Sequence, residues 1–259
     1  MELASLDGEI VALADARIPV TDDGLLRGDG VFEVMRVYSG RPLARDSHLE
    51  RMAESARNLR LVLDLEAVAR DVDALLAAAQ PGDCLVRALA TRAGHRVVLL
   101  EPLPAVTEAV ALSCVTYAPV RVLDGVKSLS YAANMLAGRL ARERGFDDAL
   151  LVSPHGRVLE LPMAAFFWAV GGELRTPPLS EHILDSITRR LVIEQTGAVE
   201  TSATVADVTA AEEAFIASTV VEVLPVRQIE QQALPVGGPL TASSARLLRT
   251  RIADLLAAD

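Results

Sequence analysis

Residues Val126 to Met135 read VKSLSYAANM, and Lys127 is the only lysine in a 259-residue chain whose other 24 of 25 Lys+Arg residues are arginine. Arginine stays protonated in a protein, whereas a desolvated lysine amine can lose its proton near neutral pH and attack a carbonyl to form a Schiff base. Lys127 is therefore a candidate for amine chemistry, to be set against the plainer reading of an arginine-rich composition with one lysine left on a solvated face. It falls just ahead of a helix predicted to begin near Ser130, so its amine projects from a loop or strand end. Four residues on, Tyr131 brings a phenol to the same place, although a tyrosine at a helix start also serves simply as packing.

Working outward, the chain is mixed α and β. Short apolar runs read as strands: EIVAL, VFEVMRVYSG, CLVRALATR, RVVLLEP, AVALSCVTY, DALLVS, RVLEL, FFWAV and EAFIAST. Glycine-containing turns such as SPHGR and AVGGEL join several of them, which favours hairpins and a largely antiparallel arrangement. Between them lie helical patterns. DSHLERMAESARNLRLV places Leu49, Met52, Ala56 and Leu59 on one face, with Asp46 or Ser47 as N-cap. LEAVARDVDALLAAAQ stops before Pro81-Gly82, SYAANMLAGRLARERG stops at Gly145, and SITRRLVIEQTG runs from a Ser186 cap to Gly197. A final amphipathic helix covers TASSARLLRTRIADLLAAD. The two prolines of EPLPAVTE separate two strand-like runs and divide the chain into a smaller unit, residues 1–103, and a larger one, residues 104–259.

Composition narrows the function. A net charge of −10 opposes binding to nucleic acid or an anionic membrane, so a small molecule is the expected partner. No apolar run reaches the span of a membrane helix. The N-terminal stretch lacks the basic start and apolar core of a secretory signal, which makes the cytoplasm the expected location. Cys84 and Cys114 lack CxxC spacing and read as buried thiols. The four histidines, His48, His95, His155 and His182, are scattered without metal-ligand spacing, so no metal is expected. Trp168 reads as core.

Other residues carry chemistry of their own. Glu160 ends the second arm of the predicted hairpin DALLVSPHGRVLEL between Leu159 and Leu161, where a carboxylate is costly unless it meets a cation, be it an arginine or a pyridinium nitrogen. Ile187 and Thr188 open a helix whose first N–H groups and dipole favour an anion. Ser218-Thr219 forms a second hydroxyl-bearing turn after a buried strand, and Arg51 offers a guanidinium suited to phosphate or to solvent.

In this order, the segments RGDGVFEVMRV, HLERMAESARNL, KSLSY, DDALLVSPHGRVLE, RTPPLSEHILDSITRRLVIE and AFIASTVVEVLPVRQI closely resemble the fold-type IV pyridoxal-phosphate enzymes, also called class IV aminotransferases. The resemblance covers nearly the whole chain. It implies an α+β fold of two domains, a small N-terminal α/β sandwich and a larger C-terminal domain with a pseudo-barrel of mostly antiparallel strands and flanking helices. It implies pyridoxal 5'-phosphate as cofactor, Lys127 as the Schiff-base lysine and Glu160 as the partner of the pyridine nitrogen. Arg51, Ile187, Thr188 and Thr219 become the phosphate contacts, and Tyr131 the contact to the ring oxygen. Family members are generally homodimers.

Two departures stand out. Leu161 and Pro162 follow the glutamate where small residues are usual, and Ala165 replaces an asparagine, so its support of the site is expected to be missing. Ser186 stands where a glycine often precedes ITR. For the reaction, chain length and the AAFFW segment resemble 4-amino-4-deoxychorismate lyases, which release 4-aminobenzoate and pyruvate for folate synthesis. Val34, where lyases commonly carry threonine, resembles D-amino-acid aminotransferases instead. In that alternative Phe32 and Val34 line the pocket, and Arg92, Arg96 or the N–H groups of Val220 and Val221 meet a substrate carboxylate. A third alternative is a degenerate member that binds cofactor or a partner without turnover.

Overall fold

A left-handed turn at Asp7 and Gly8, with φ of 53° and 98°, folds strand β1 (Leu3–Leu6) against β2 (Glu9–Ala12). Glycine tolerates such a φ without cost, and aspartate is among the few other residues that adopt it readily. The computed structural model describes residues 2–258. They fall into two units, residues 2–104 with 125–131, and residues 105–124 with 132–258. The return of 125–131 to the first unit is not foreseen by a single cut near residue 104.

The first unit continues through α1 (Asp23–Arg27), β3 (Gly30–Tyr38), β4 (Arg41–Pro42), α2 (Arg45–Asn58), α3 (Leu65–Ala79), β5 (Cys84–Thr91) and β6 (Arg96–Glu101). Its sheet has the order β2-β1-β6-β5-β3-β4 and is antiparallel throughout. Side chains alternate across a strand, so Val31, Met35 and Val37 of β3 share a face and join Met52 of α2 and Val72 of α3 in the core. Removing this apolar surface from water is the main stabilising term.

Helix α2 begins at Arg45, ahead of the predicted caps Asp46 and Ser47. Ala44, at φ 50°, makes the entry with no side-chain cap, because the chain passes straight from β4 into the helix through the turn at Leu43 and Ala44. Asp46 keeps a place in the first turn, where its charge suits the helix dipole. Helix α3 is capped by Asp64, which accepts the Ala67 N–H at 2.9 Å.

The second unit holds β7 (Val110–Thr116), α4 (Ala132–Glu143), β8 (Asp148–Val152), β9 (Ala165–Val170), β10 (Glu173–Thr176), α5 (Ile187–Thr196), β11 (Val199–Glu200), α6 (Val205–Thr209), β12 (Glu213–Ser218), β13 (Glu222–Ile229), β14 (Gln232–Ala233) and α7 (Pro239–Ala258). The sheet order is β11-β10-β9-β12-β13-β7-β8, with β14 on β13. It is antiparallel through β10-β9-β12-β13 and parallel at β13-β7, β7-β8 and β10-β11. The β7–β8 step is made parallel by a crossover that includes α4, which packs back on both strands. Phe166 and Trp168 stack on one face of β9, while Phe167 stacks on Phe215 on the other. Trp168 is in the core, as expected. Among the described residues no helix is long and apolar enough to cross a membrane.

RVLEL, read as a strand, is not one. Leu151 donates to the Glu160 carbonyl and accepts from the Leu159 N–H, both at 2.9 Å, so two residues face one in the manner of a bulge. Val158 turns its N–H to Ala203 at 2.8 Å, and Pro162, which has no N–H, follows shortly after. Glu160 therefore sits on a bent loop rather than at a strand end. Helix α4 starts at Ala132, two residues after the predicted Ser130, whose hydroxyl instead donates to the Gly28 carbonyl at 3.1 Å.

The segment around Lys127 is bonded to the edge of β3. The Phe32 N–H donates to the Lys127 carbonyl at 3.0 Å and the Leu129 N–H to the Gly30 carbonyl at 2.9 Å. Gly30 is needed where they meet, since a Cβ there would lie 2.5 Å from the Ala90 carbonyl oxygen and 2.6 Å from Leu129. Gly30→Ala is expected to cost about 1–3 kcal/mol through overpacking, read as a lower urea midpoint. Gly82→Ala, with nothing within 4 Å of the added Cβ, is expected to stay within about 0.5 kcal/mol.

Candidate active site

Lys127 is held at both ends of its peptide unit. Besides the carbonyl bond to β3, its N–H donates to the hydroxyl of Ser55 at 3.1 Å, and Ser55 is fully buried on α2. The side-chain amine lies 4.4 Å from the centre of the Phe32 ring and 5.9 Å from that of Tyr131. The two rings meet edge to face, 5.4 Å apart at 87°, a favoured aromatic geometry. The only lysine is thus fixed by its backbone against an aromatic wall that excludes part of its water.

Next to Phe32, Glu33 points to the opposite face of β3, among Val31 and Met35, and is completely buried. Arg51 donates Nε to Glu33 Oε1 and Nη2 to Oε2, both at 2.7 Å. His48 Nδ1 lies 2.8 Å from Oε2. Burial alone would push the Glu33 carboxyl up, but the bonds to Arg51 and His48 overcome it and hold it at about 2. Burial lowers His48 below its ordinary value despite Glu33, and the charges of Arg51 and Lys127 add to the lowering. The imidazole is therefore neutral at neutral pH and donates Nδ1–H to Glu33.

In the second unit, Glu160 Oε1 accepts the Leu184 N–H at 3.0 Å. Its loop is closed by the Leu161 N–H bonding the Ala164 carbonyl at 2.8 Å. Asn134 of α4 donates Nδ2 to the Pro162 carbonyl at 3.2 Å, and the Tyr117 hydroxyl donates to Asn134 Oδ1, also at 3.2 Å. Burial, then the charge of Glu160, raises the Tyr117 phenol above its ordinary value. The loop is tied down although Ala165 supplies no amide. Ser186 caps α5 by accepting the Arg189 N–H at 3.3 Å. The first N–H groups of a helix have no intrahelical acceptor, and among the described residues those of Ile187 and Thr188 meet none. Thr188 is buried at that helix start. α5 packs on β12, the strand that ends at Ser218, just before Thr219.

The expected substrate contacts fare unevenly. Phe32 and Val34 share one face of β3. Arg92 is locked elsewhere, to Asp29 at 2.8 and 3.1 Å and to the carbonyls of Leu59 and Arg60 at 2.8 and 2.6 Å. Arg96 bonds Asp71 at 2.9 Å. The N–H groups of Val220 and Val221 turn back to the Ser218 hydroxyl at 3.3 and 3.4 Å. These contacts leave a carboxylate role for Arg92, Arg96 or that turn without support. Cys84 is buried and Cys114 only partly so. His155 is exposed on its turn.

The sequence reading missed Glu33, His48, Ser55, Tyr117 and Asn134. A signal existed for the first three. Glu33 interrupts the alternation of Val31, Met35 and Val37, and His48 and Ser55 recur seven residues apart, on the same helix face. Tyr117 and Asn134 have no such pattern. Within the second unit, a helix start with N–H groups lacking acceptors and a tethered carboxylate are groups of the kind that a phosphate and a pyridine nitrogen need; within the first, the primary amine is the kind of group that an aldehyde needs.

The family model described as Amino-transferase class IV matches residues 30–229. A Methanocaldococcus jannaschii protein, provisionally named a branched-chain-amino-acid aminotransferase, is 33% identical over 250 residues, 87% of either chain. A Mycobacterium tuberculosis protein named as a bifunctional aminodeoxychorismate lyase and D-amino acid transaminase is 30% identical, over 74% of this chain and 77% of that one. Among solved structures, the PLP-bound form of a hypothetical aminotransferase from Mycobacterium tuberculosis superposes with a TM-score of 0.88 at 27% identity, covering 97% of this chain and 99% of that one.

The buried cluster makes stability depend on pH. Below the ordinary histidine value of 6.5 the unfolded chain takes up a proton that folded His48 refuses, so stability falls as pH drops. The part due to Glu33 has the same sign and is lost between its ordinary value of 4.5 and about 2. His48→Asn is expected to lose less melting temperature than the wild type between roughly pH 7.5 and 5.5, and parallel curves would contradict the assignment.

Proposed function

The chain belongs to the class IV aminotransferases, the fold-type IV pyridoxal-phosphate enzymes, and from that premise we propose that it is a 4-amino-4-deoxychorismate lyase. Bound pyridoxal phosphate supplies an electron sink that makes a carbon next to the substrate amine acidic. In this reading Lys127 carries the cofactor and then moves the proton. Glu160 holds a proton on the ring nitrogen, and Tyr131 bonds the ring oxygen. Arg51 contributes to phosphate binding from α2, and Ile187, Thr188 and Thr219 contribute N–H and hydroxyl donors.

The amine of Lys127 takes the proton from the ring carbon that bears the amino group. The ether C–O bond then breaks, and a proton is returned to the departing three-carbon unit, which leaves as pyruvate. The remaining ring becomes aromatic 4-aminobenzoate, so the atoms of the substrate are divided between two products with no further reactant.

The observation that carries this reading is the aromatic wall of Phe32 and Tyr131 beside the Lys127 amine. These two apolar rings, set edge to face, suit contact with a six-membered ring better than with a short aliphatic side chain. The relative that bears both lyase and D-amino acid transaminase names adds support.

A second reading, transfer of the amino group to a 2-oxo acid, is favoured by Val34 on the same strand face as Phe32 and by the relative with the aminotransferase name. We also take the chain to act as a cytoplasmic homodimer in folate synthesis, as the family resemblance implies.

Release of 4-aminobenzoate from enzymatically generated aminodeoxychorismate, with pyridoxal phosphate added, tests the lyase reading. Product is expected from the wild type and none above background from Lys127→Ala. A protein that takes up the cofactor but releases no product contradicts the lyase reading and directs the assay to D- and L-amino donors with 2-oxo acids.

A further inference from the structure

Arg189 has no part in the proton transfer just described, yet its side chain is only 2% exposed, in the first turn of α5. Nη2 donates to the Pro177 carbonyl at 2.7 Å and to Glu200 Oε1 at 2.5 Å, while Nε is buried with no partner among the described residues. A cation in the first turn of a helix opposes the helix dipole, and a buried donor left unbonded is a further cost. An apolar residue of similar volume often serves packing as well or better. What explains an arginine here is what it holds in place.

Arg189 is tied through both its backbone and its side chain. The backbone N–H donates to the Ser186 hydroxyl at 3.3 Å, which caps α5. The guanidinium reaches Pro177, just beyond β10, and Glu200 of β11. These two strands pair in parallel at the edge of the sheet, with Thr176 opposite Glu200. The opening turn of α5 is thereby fastened to the sheet from the buried side. Because the cap takes the N–H of Arg189, those of Ile187 and Thr188 are left without acceptors among the described residues. Thr188 is itself only 7% exposed, and its hydroxyl meets no partner among those residues. All of these groups belong to the second unit.

We propose that Arg189 and Glu200 are positioning residues that fix the opening turn of α5 in the pose in which Ile187 and Thr188 bind the phosphate group of the cofactor. This rests on the reading of that turn as a phosphate contact.

The test compares affinities for pyridoxal phosphate and for pyridoxal, which lacks the phosphate, by absorbance titration of the protein freed of cofactor. The ratio of the two affinities reports the phosphate contacts, whereas a general loss of structure weakens both ligands together. Arg189→Met is expected to lower the ratio by about tenfold, the size of one lost charge-assisted bond. Glu200→Ala separates position from charge. It removes an anion and leaves the Arg189 cation, so an effect of charge alone would raise the ratio, whereas loss of the clamp lowers it. Glu200→Gln, whose amide oxygen can still accept from Nη2, is expected to keep the ratio near that of the wild type. A ratio that rises in Glu200→Ala, or equal weakening of both ligands in Arg189→Met and Glu200→Ala, overturns the positioning role.

Ile187→Pro tests the reading beneath this inference. Proline is well tolerated at the first position of a helix and removes the N–H there, and Ser186 already has the extended backbone that a following proline requires. If Ile187→Pro lowers the ratio while Arg189→Met and Glu200→Ala leave it unchanged, the positioning role is overturned and the turn remains a phosphate contact. If Ile187→Pro itself leaves the ratio unchanged, the phosphate reading falls and the inference falls with it. Should Arg189→Met fail to fold by circular dichroism, the Glu200→Ala and Glu200→Gln pair decides alone.

Discussion

The bond from Phe32 to the carbonyl of Lys127, together with that from Lys127 to Ser55, is the constraint on which the chemistry of the first unit depends. A lysine side chain is long and entropically costly to hold, so an amine can be directed only if its backbone is first fixed. Here a segment distant in sequence is bonded along the edge of β3 between residues 30 and 32. Gly30 lets the backbones approach, and Ser55 supplies a buried acceptor from the neighbouring helix. The aromatic rings of Phe32 and Tyr131 then limit where the amine can go.

The same strand distributes its side chains with period two. Phe32 and Val34 fall on one face, whereas Glu33 falls on the other and meets His48 and Arg51 of α2. Two kinds of group, an apolar wall and a charged cluster, are thus produced by adjacent residues of one strand. In the second unit a different device serves Glu160. The hairpin arm before it bulges and loses its ladder, and the freed loop is tied by Leu184, Ala164 and Asn134. A bent loop can present a carboxylate in a direction that a regular strand would not allow.

Much of this was legible in the sequence where one residue type could do the job. Lys127 stood out because arginine cannot replace a primary amine, and Ser186 and Gly197 marked the ends of α5 through capping chemistry that acts over a single turn. Glu33 was legible in principle, as a charge in an apolar alternation, but period-two reading gives only its face and not the partner across the core. Strand β13 is absent from the strand-like runs of the sequence, and its place in the sheet is set by pairing with β12 on one side and β7 on the other, partners that only folding supplies. The fate of Arg92 was beyond reach, since its partners Asp29, Leu59 and Arg60 are brought together only by folding. The start of α2 was misplaced for the same reason: local propensity favours Asp46 or Ser47, and the turn that enters the helix overrides it.

The central claim, that Lys127 is the residue that holds the cofactor, is tested most directly by covalent trapping. The protein loaded with pyridoxal phosphate would be reduced with borohydride, digested and analysed by mass spectrometry. A phosphopyridoxyl mass on the peptide containing Lys127, absent from a Lys127→Arg variant treated alike, is the predicted result. No adduct on that peptide from a protein that has bound the cofactor, or an adduct confined to the α-amino terminus, would contradict the account.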